Sequence, residues 1–114
     1  MLLTDSMMSK LESLRDRFEE VAALLSDAEV MKDRERFTAL SKEYAEIEPV
    51  VGCYRRAMEL EANIADNEQL LEEEDPEMRE LAQQDIADCR AQLEKLISEL
   101  KTLLIPKDPN DQSN

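Results

Sequence analysis

The chain has 114 residues with one glycine, no histidine, no tryptophan and a formal net charge of −14, from 28 acidic and 14 basic side chains. One glycine cannot build a phosphate-cradling Walker loop or a dinucleotide fingerprint, and without histidine there is no Ser-His-Asp triad, Cys-His pair or histidine-bearing zinc site. The acidity argues against a free-standing nucleic-acid binder, whose affinity would come mainly from lysine and arginine.

The first element opens near residue 6. Met7, Leu11, Leu14, Phe18, Val21 and Leu25 follow steps of three and four, which place them on one stripe of a helix over about 6–26. Ser9 and Glu12 have capping-box spacing, and Thr4, Asp5 and Ser6 offer earlier caps. Residues 26–33 break the pattern with turn and capping side chains.

A second stripe runs through Phe37, Leu40, Tyr44, Ile47, Val51, Tyr54 and Met58, then shifts phase by three residues to Ala57, Leu60, Ile64 and Leu71. Such a shift reads as a stammer in coiled-coil terms. Pro49 and Gly52 fall inside the stretch. The apolar phase nevertheless carries through Ile47, Val51 and Tyr54, so one long helix over about 33–73 is expected, kinked near Pro49.

The third helix, about 75–104, begins at Asp75-Pro76-Glu77: an N-cap, a proline at the first helical position and an acid near the positive end of the dipole. Ala82, Ile86, Cys89, Leu93, Leu96, Leu100 and Leu103 form its stripe, and Pro106 and Pro109 open a polar linker over 106–114. No segment alternates apolar and polar residues at period two, so no strand is expected.

The expected fold is therefore all-α: a long antiparallel, coiled-coil-like hairpin of the second and third helices, turning at Glu72–Asp75, with the first helix packed on part of it. The mostly leucine core leaves no enclosed ligand pocket, and the hairpin tip should extend beyond the shorter first helix. Five methionines, Met7, Met8, Met31, Met58 and Met78, lie at or near stripe positions, where core filling is the default.

Candidate chemistry is sparse. Residues 59–75 carry eight carboxylates and no basic side chain, and their exposed end, Glu72, Glu73, Glu74 and Asp75, is the candidate partner contact. The run lacks the spacing and glycine of a calcium loop. Catalytic, cofactor and metal residues are assigned to none. Arg55 and Arg56 beside Tyr54, with Lys42 near, could touch phosphate, although solvated charge is the simpler reading. Cys53 and Cys89 read as reduced, buried thiols of a cytoplasmic protein. The N-terminus has neither a basic region nor a long apolar run, and no stretch would span a membrane.

Four segments say more. Ser9–Asp27 (SKLESLRDRFEEVAALLSD), Glu35–Ile47 (ERFTALSKEYAEI), Asp75–Gln83 (DPEMRELAQ) and Leu103–Asp111 (LLIPKDPND), in that order, resemble the N-terminal region of bacterial class-1 peptide chain release factors. Asp-Pro-Glu-Met followed by Pro-Lys-Asp-Pro most resembles the branch that reads UAA and UAG. The resemblance implies a helical arm, residues 1–105, ahead of a central domain that the 106–114 linker would enter. It also implies a role in stop-codon-dependent termination, with the ribosome's factor-binding region and a recycling GTPase as partners of the full-length factor.

That family reads the stop codon with Pro-X-Thr and triggers peptidyl-tRNA hydrolysis with Gly-Gly-Gln. Neither tripeptide occurs among these residues, so no codon-reading or hydrolytic residue carries over, and no direct nucleic-acid contact is expected of this arm. As a fragment it should be a monomer or weak dimer. The rival reading is a generic cytoplasmic coiled-coil adaptor that self-associates through its leucine stripe.

Overall fold

A computed structural model describes residues 3–105. They form four helices and, among the described residues, no strand: α1 (Asp5–Leu25), α2 (Ala28–Lys32), α3 (Arg34–Leu70) and α4 (Pro76–Leu103). The linker expected over 106–114 lies outside the described residues.

Each start is fixed by a side-chain cap. The Thr4 hydroxyl accepts from the Met7 amide at 3.2 Å, so the earliest of the available caps is the one used. Asp27 accepts from Glu29 at 2.9 Å, Asp33 from Arg36 at 3.2 Å, and Asp75 from Glu77 at 3.0 Å. Each satisfies an amide that the first helical turn leaves without an intrahelical partner.

Two differences from the expected elements have local causes. The segment read as a plain break contains the five-residue α2, held by Val30, which is buried with Val21 and Leu40. One anchor residue produces no periodicity, so nothing announced it. At the other end, α3 stops at Leu70 rather than near 73, and the amides of Leu71, Glu72 and Glu73 bond back three residues in tightened turns. No basic side chain lies in the last turn of α3. Adding glutamates at the negative end of the helix dipole is unfavourable, so the helix closes before them.

α3 is the spine. Its contacts with α4 and with α1 dominate the packing, α2 adds a smaller patch, and α1 and α4 have no close backbone approach. Val21 meets Leu40, Phe18 meets Ile47 and Val51, and Leu11 clusters with Tyr54 and Ala57, so α1 runs antiparallel along the first half of α3. The second half belongs to α4: Leu60 and Ile64 pack with Ile86 and Cys89, while Cys53 and Ala57 pack with Ile97 and Leu100. The result is long and flat, 61 × 40 × 21 Å.

This arrangement replaces the stammer. At 3.6 residues per turn, adjacent residues point about 100° apart. Leu40, Tyr44, Ile47, Val51 and Tyr54 serve the α1 seam, and Val50, Cys53, Ala57, Leu60 and Ile64 serve the α4 seam. The shift of phase marks a change of partner, not a supercoil defect. α3 stays continuous through Pro49.

The ends of the α1 seam are bare: Phe37 is 37% exposed and Met58 42%. Both lie outside the Leu40-to-Tyr54 window that α1 covers. Met31 and Met78 are exposed as well, whereas Met7 and Met8 pack against the core. Core filling therefore holds for two of the five methionines. Leu103 is likewise on the surface, and Ile97 takes a buried place that the simple stripe omitted.

Gly52 sits on the exposed side of α3, and a β-carbon there would have no neighbour within 4 Å. No glycine among the described residues has positive φ. Gly52→Ala is therefore expected to raise stability by about 0.5–1 kcal/mol, through lower unfolded-chain entropy and better helix propensity. Thermal unfolding followed by circular dichroism reads the gain; an unchanged or lower midpoint contradicts it.

Candidate functional site

Glu72, Glu73, Glu74 and Asp75 all lie in the α3–α4 turn and all are exposed. Their roles differ. Asp75 is the N-cap of α4, with one carboxylate oxygen held by the Glu77 amide. The three glutamates have no such structural duty, and no ion pair within the described residues engages them. α1 contributes no cluster beyond Ala57, so the turn projects past it.

The acidity is broader than the turn. Residues 59–88 carry twelve carboxylates and a single cation, Arg79. This field favours cationic partners and disfavours phosphate backbones.

Cations are more numerous in the other half, where Arg15, Arg17, Lys32, Arg55 and Arg56 are paired with carboxylates. Arg17 on α1 grips Glu43 on α3 with two bonds, Nε to Oε2 at 2.6 Å and Nη2 to Oε1 at 2.7 Å, and also reaches Glu20. This bidentate pairing, against some loss of hydration, holds the Glu43 carboxyl below the usual range and the guanidinium above its own. Beside it, Phe18 stacks on Tyr44 with centroids 4.6 Å apart. Arg55 lies 5.6 Å from the centre of the Phe18 ring and 3.6 Å from Glu19.

Arg56 pairs with Glu59 at 3.2 Å and donates to Gln92 on α4 at 3.3 Å. Of the three cations considered as phosphate contacts, Arg55 pairs toward α1 and Arg56 reaches α4, while Lys42 is exposed.

Both cysteines are buried and unpaired. Burial pushes the Cys53 thiol up to about 11, with the charge and hydrogen bond of Glu99 adding to it, and its Sγ–H points to the Leu96 carbonyl at 3.6 Å. Burial also raises Cys89, helped by Asp85 and opposed by Arg56. At neutral pH both are thiols rather than nucleophilic thiolates.

Among the described residues, no three Cys, Asp or Glu side chains assemble a metal-binding group. No helix there is long and apolar enough to cross a membrane. Two open grooves flank the α3–α4 seam on opposite sides. One, of about 550 Å³, is lined by Glu61, Ile64, Glu68, Arg90, Leu93 and Ile97 among others. The second, of about 480 Å³, lies nearer the turn, between Asn67 and Leu70 on α3 and Met78, Leu81, Asp85 and Asp88 on α4. Sequence reasoning passed over this second groove because Leu81 sits one position off the core stripe. Compared with protein-family models, residues 14–114 match the PCRF domain.

Proposed function

Because the chain belongs to the PCRF domain family, we propose that it is the N-terminal helical arm of a class-1 peptide chain release factor, acting in translation termination. The match over residues 14–114 carries this reading. Asp-Pro-Glu-Met at 75–78 and Pro-Lys-Asp-Pro at 106–109 favour the branch that reads UAA and UAG.

In this reading residues 1–105 are the arm, and 106–114 lead toward the domains that carry codon reading and hydrolysis. The arm performs no reaction of its own. It works in the cytoplasm as part of its factor, and it engages the ribosome's factor-binding region and a recycling GTPase. Support comes from the shape. A packed hairpin carries an acidic turn beyond its bracing helix, suited to touching a basic protein surface at a distance from the core.

The test is charge reversal in the full-length factor. Asp75 caps α4, so replacing it with lysine would cost about 1 kcal/mol of helix stability and confound the result. The informative variant is Glu72→Lys, Glu73→Lys and Glu74→Lys with Asp75→Asn, which keeps a capping side chain. It should weaken ribosome association by about tenfold, mainly through the on-rate, with the loss shrinking at high salt. Unchanged association and termination rates would remove the turn from the mechanism.

A further inference from the structure

The groove nearer the turn exposes apolar surface that packing does not use. Leu81 is 63% exposed and Met78 40%, while Ala82, behind them, is buried against α3. On α4, Met78, Leu81, Asp85 and Asp88 follow steps of three, four and three, which places them on one face. Leu70 and Asn67 face them from α3, and Asn67 hydrogen-bonds Asp85 across the gap. The floor is apolar, one wall is acidic, and the glutamates of the turn lie in the chain between its two sides, Leu70 and Met78.

We propose that this groove docks a basic amphipathic helix of a partner protein, whose apolar side covers Met78 and Leu81 and whose cations meet Asp85 and Asp88. The argument for this occupant is charge complementarity joined to shape. Twelve carboxylates against one cation over residues 59–88 repel nucleic acid and anionic lipid alike. A second copy of a chain with net charge −14 is repelled for the same reason. A cationic helix gains the Coulomb attraction and lies naturally between two helices, with its apolar anchors at helical spacing. Methionine at the contact suits the surface to such a ligand, because its unbranched side chain adapts to the shape it meets. The inference rests on reading this chain as an interaction arm, and adds to it the chemistry and position of the contact.

The probe is a Lys/Leu amphipathic peptide of about 18 residues, roughly five helical turns, titrated into the 114-residue chain and followed by amide shifts and fluorescence anisotropy. Binding is expected to move the amides of Leu70, Met78, Leu81 and Asp85. A Lys/Ser peptide of equal charge should bind about tenfold more weakly. Met78→Ser with Leu81→Ser should weaken the Lys/Leu peptide by about the same factor, and because both side chains are exposed, helicity and melting should stay as in the parent.

Equal binding of the two peptides overturns the proposal, since charge alone would then explain it. So does undiminished binding by the double variant, or shift changes confined to the groove between Glu61 and Ile97, or self-association of the chain through this face. The arm reading is tested apart from it. Failure here, with ribosome association still sensitive to reversal of Glu72–Glu74, discards the groove and keeps the turn as a ribosome contact; the opposite pair of results keeps the groove and removes the turn from the mechanism.

Discussion

Leu100→Ala is expected to lower the unfolding free energy by about 3 kcal/mol, within the span of about 2–5 for buried leucines. Leu100 is 0% exposed and packs where α3 and α4 meet the residues brought by α1, in a cluster with Leu11, Tyr54, Ala57 and Ile97. Truncation removes its transfer energy and leaves a cavity that three separate elements must collapse to fill. A chain of this size should lose on the order of 10 °C or more in melting midpoint. The control is Leu81→Ala on the same helix, which should change stability by less than about 0.5 kcal/mol. Both replace leucine by alanine in α4, so helix propensity cancels and burial alone separates them. Comparable losses at the two positions, measured by urea unfolding, would show that the hairpin does not pack as described.

That contrast marks where the sequence was legible. α4 could be read as an element, because Asp75, Pro76 and Glu77 supply an unambiguous start and its stripe faces mainly α3. α3 could be read as one helix, but not as a spine shared between two neighbours. Two stripes a residue or so apart on one helix, Val51 for α1 and Val50 for α4, look in one dimension like a single stripe that slips. The methionines misled for a related reason: periodicity gives the face of a helix, while coverage depends on where the neighbouring helix ends. The candidate site divides similarly. The carboxylates and the capping role of Asp75 were visible as residue types at positions. The groove was not, since Leu81 becomes anomalous only once its exposure is known.

The two seams also explain how an acidic tip is presented at all. Without α1, a hairpin of α3 and α4 would expose Tyr44, Ile47, Val51 and much of Tyr54 along one half of α3. α1 covers that stripe and is fastened to it by Arg17–Glu43 and by the stacked Phe18–Tyr44 pair under Arg55. The clasp lies wholly on the half away from the turn. Arg17 and Arg55 are used where α1 must be joined to α3, and the distal turn is left with the exposed carboxylates of Glu72, Glu73 and Glu74.

Ala57 is where the two seams come closest, and enlarging it should be costly. It is 0% exposed and lies in the cluster that joins Leu3 and Leu11 to Ile97 and Leu100. Leucine there adds three carbons to a fully buried position, so Ala57→Leu is expected to cost about 3 kcal/mol through displaced helices and strained rotamers. Reducing the side chain does not help: Ala57→Gly leaves room but costs about 1 kcal/mol in helix propensity, plus the lost contact. The optimum is therefore two-sided. Because α1 has only α3 and the small α2 to hold it, whereas α4 has the longer seam, the strain in Ala57→Leu should release α1 first. Hydrogen exchange should then quicken in α1 before it does at Leu60, Ile64 and Ile86. If Ala57→Leu melts at the parent temperature, or loosens the distal hairpin before α1, the placing of Ala57 where the two seams meet is wrong.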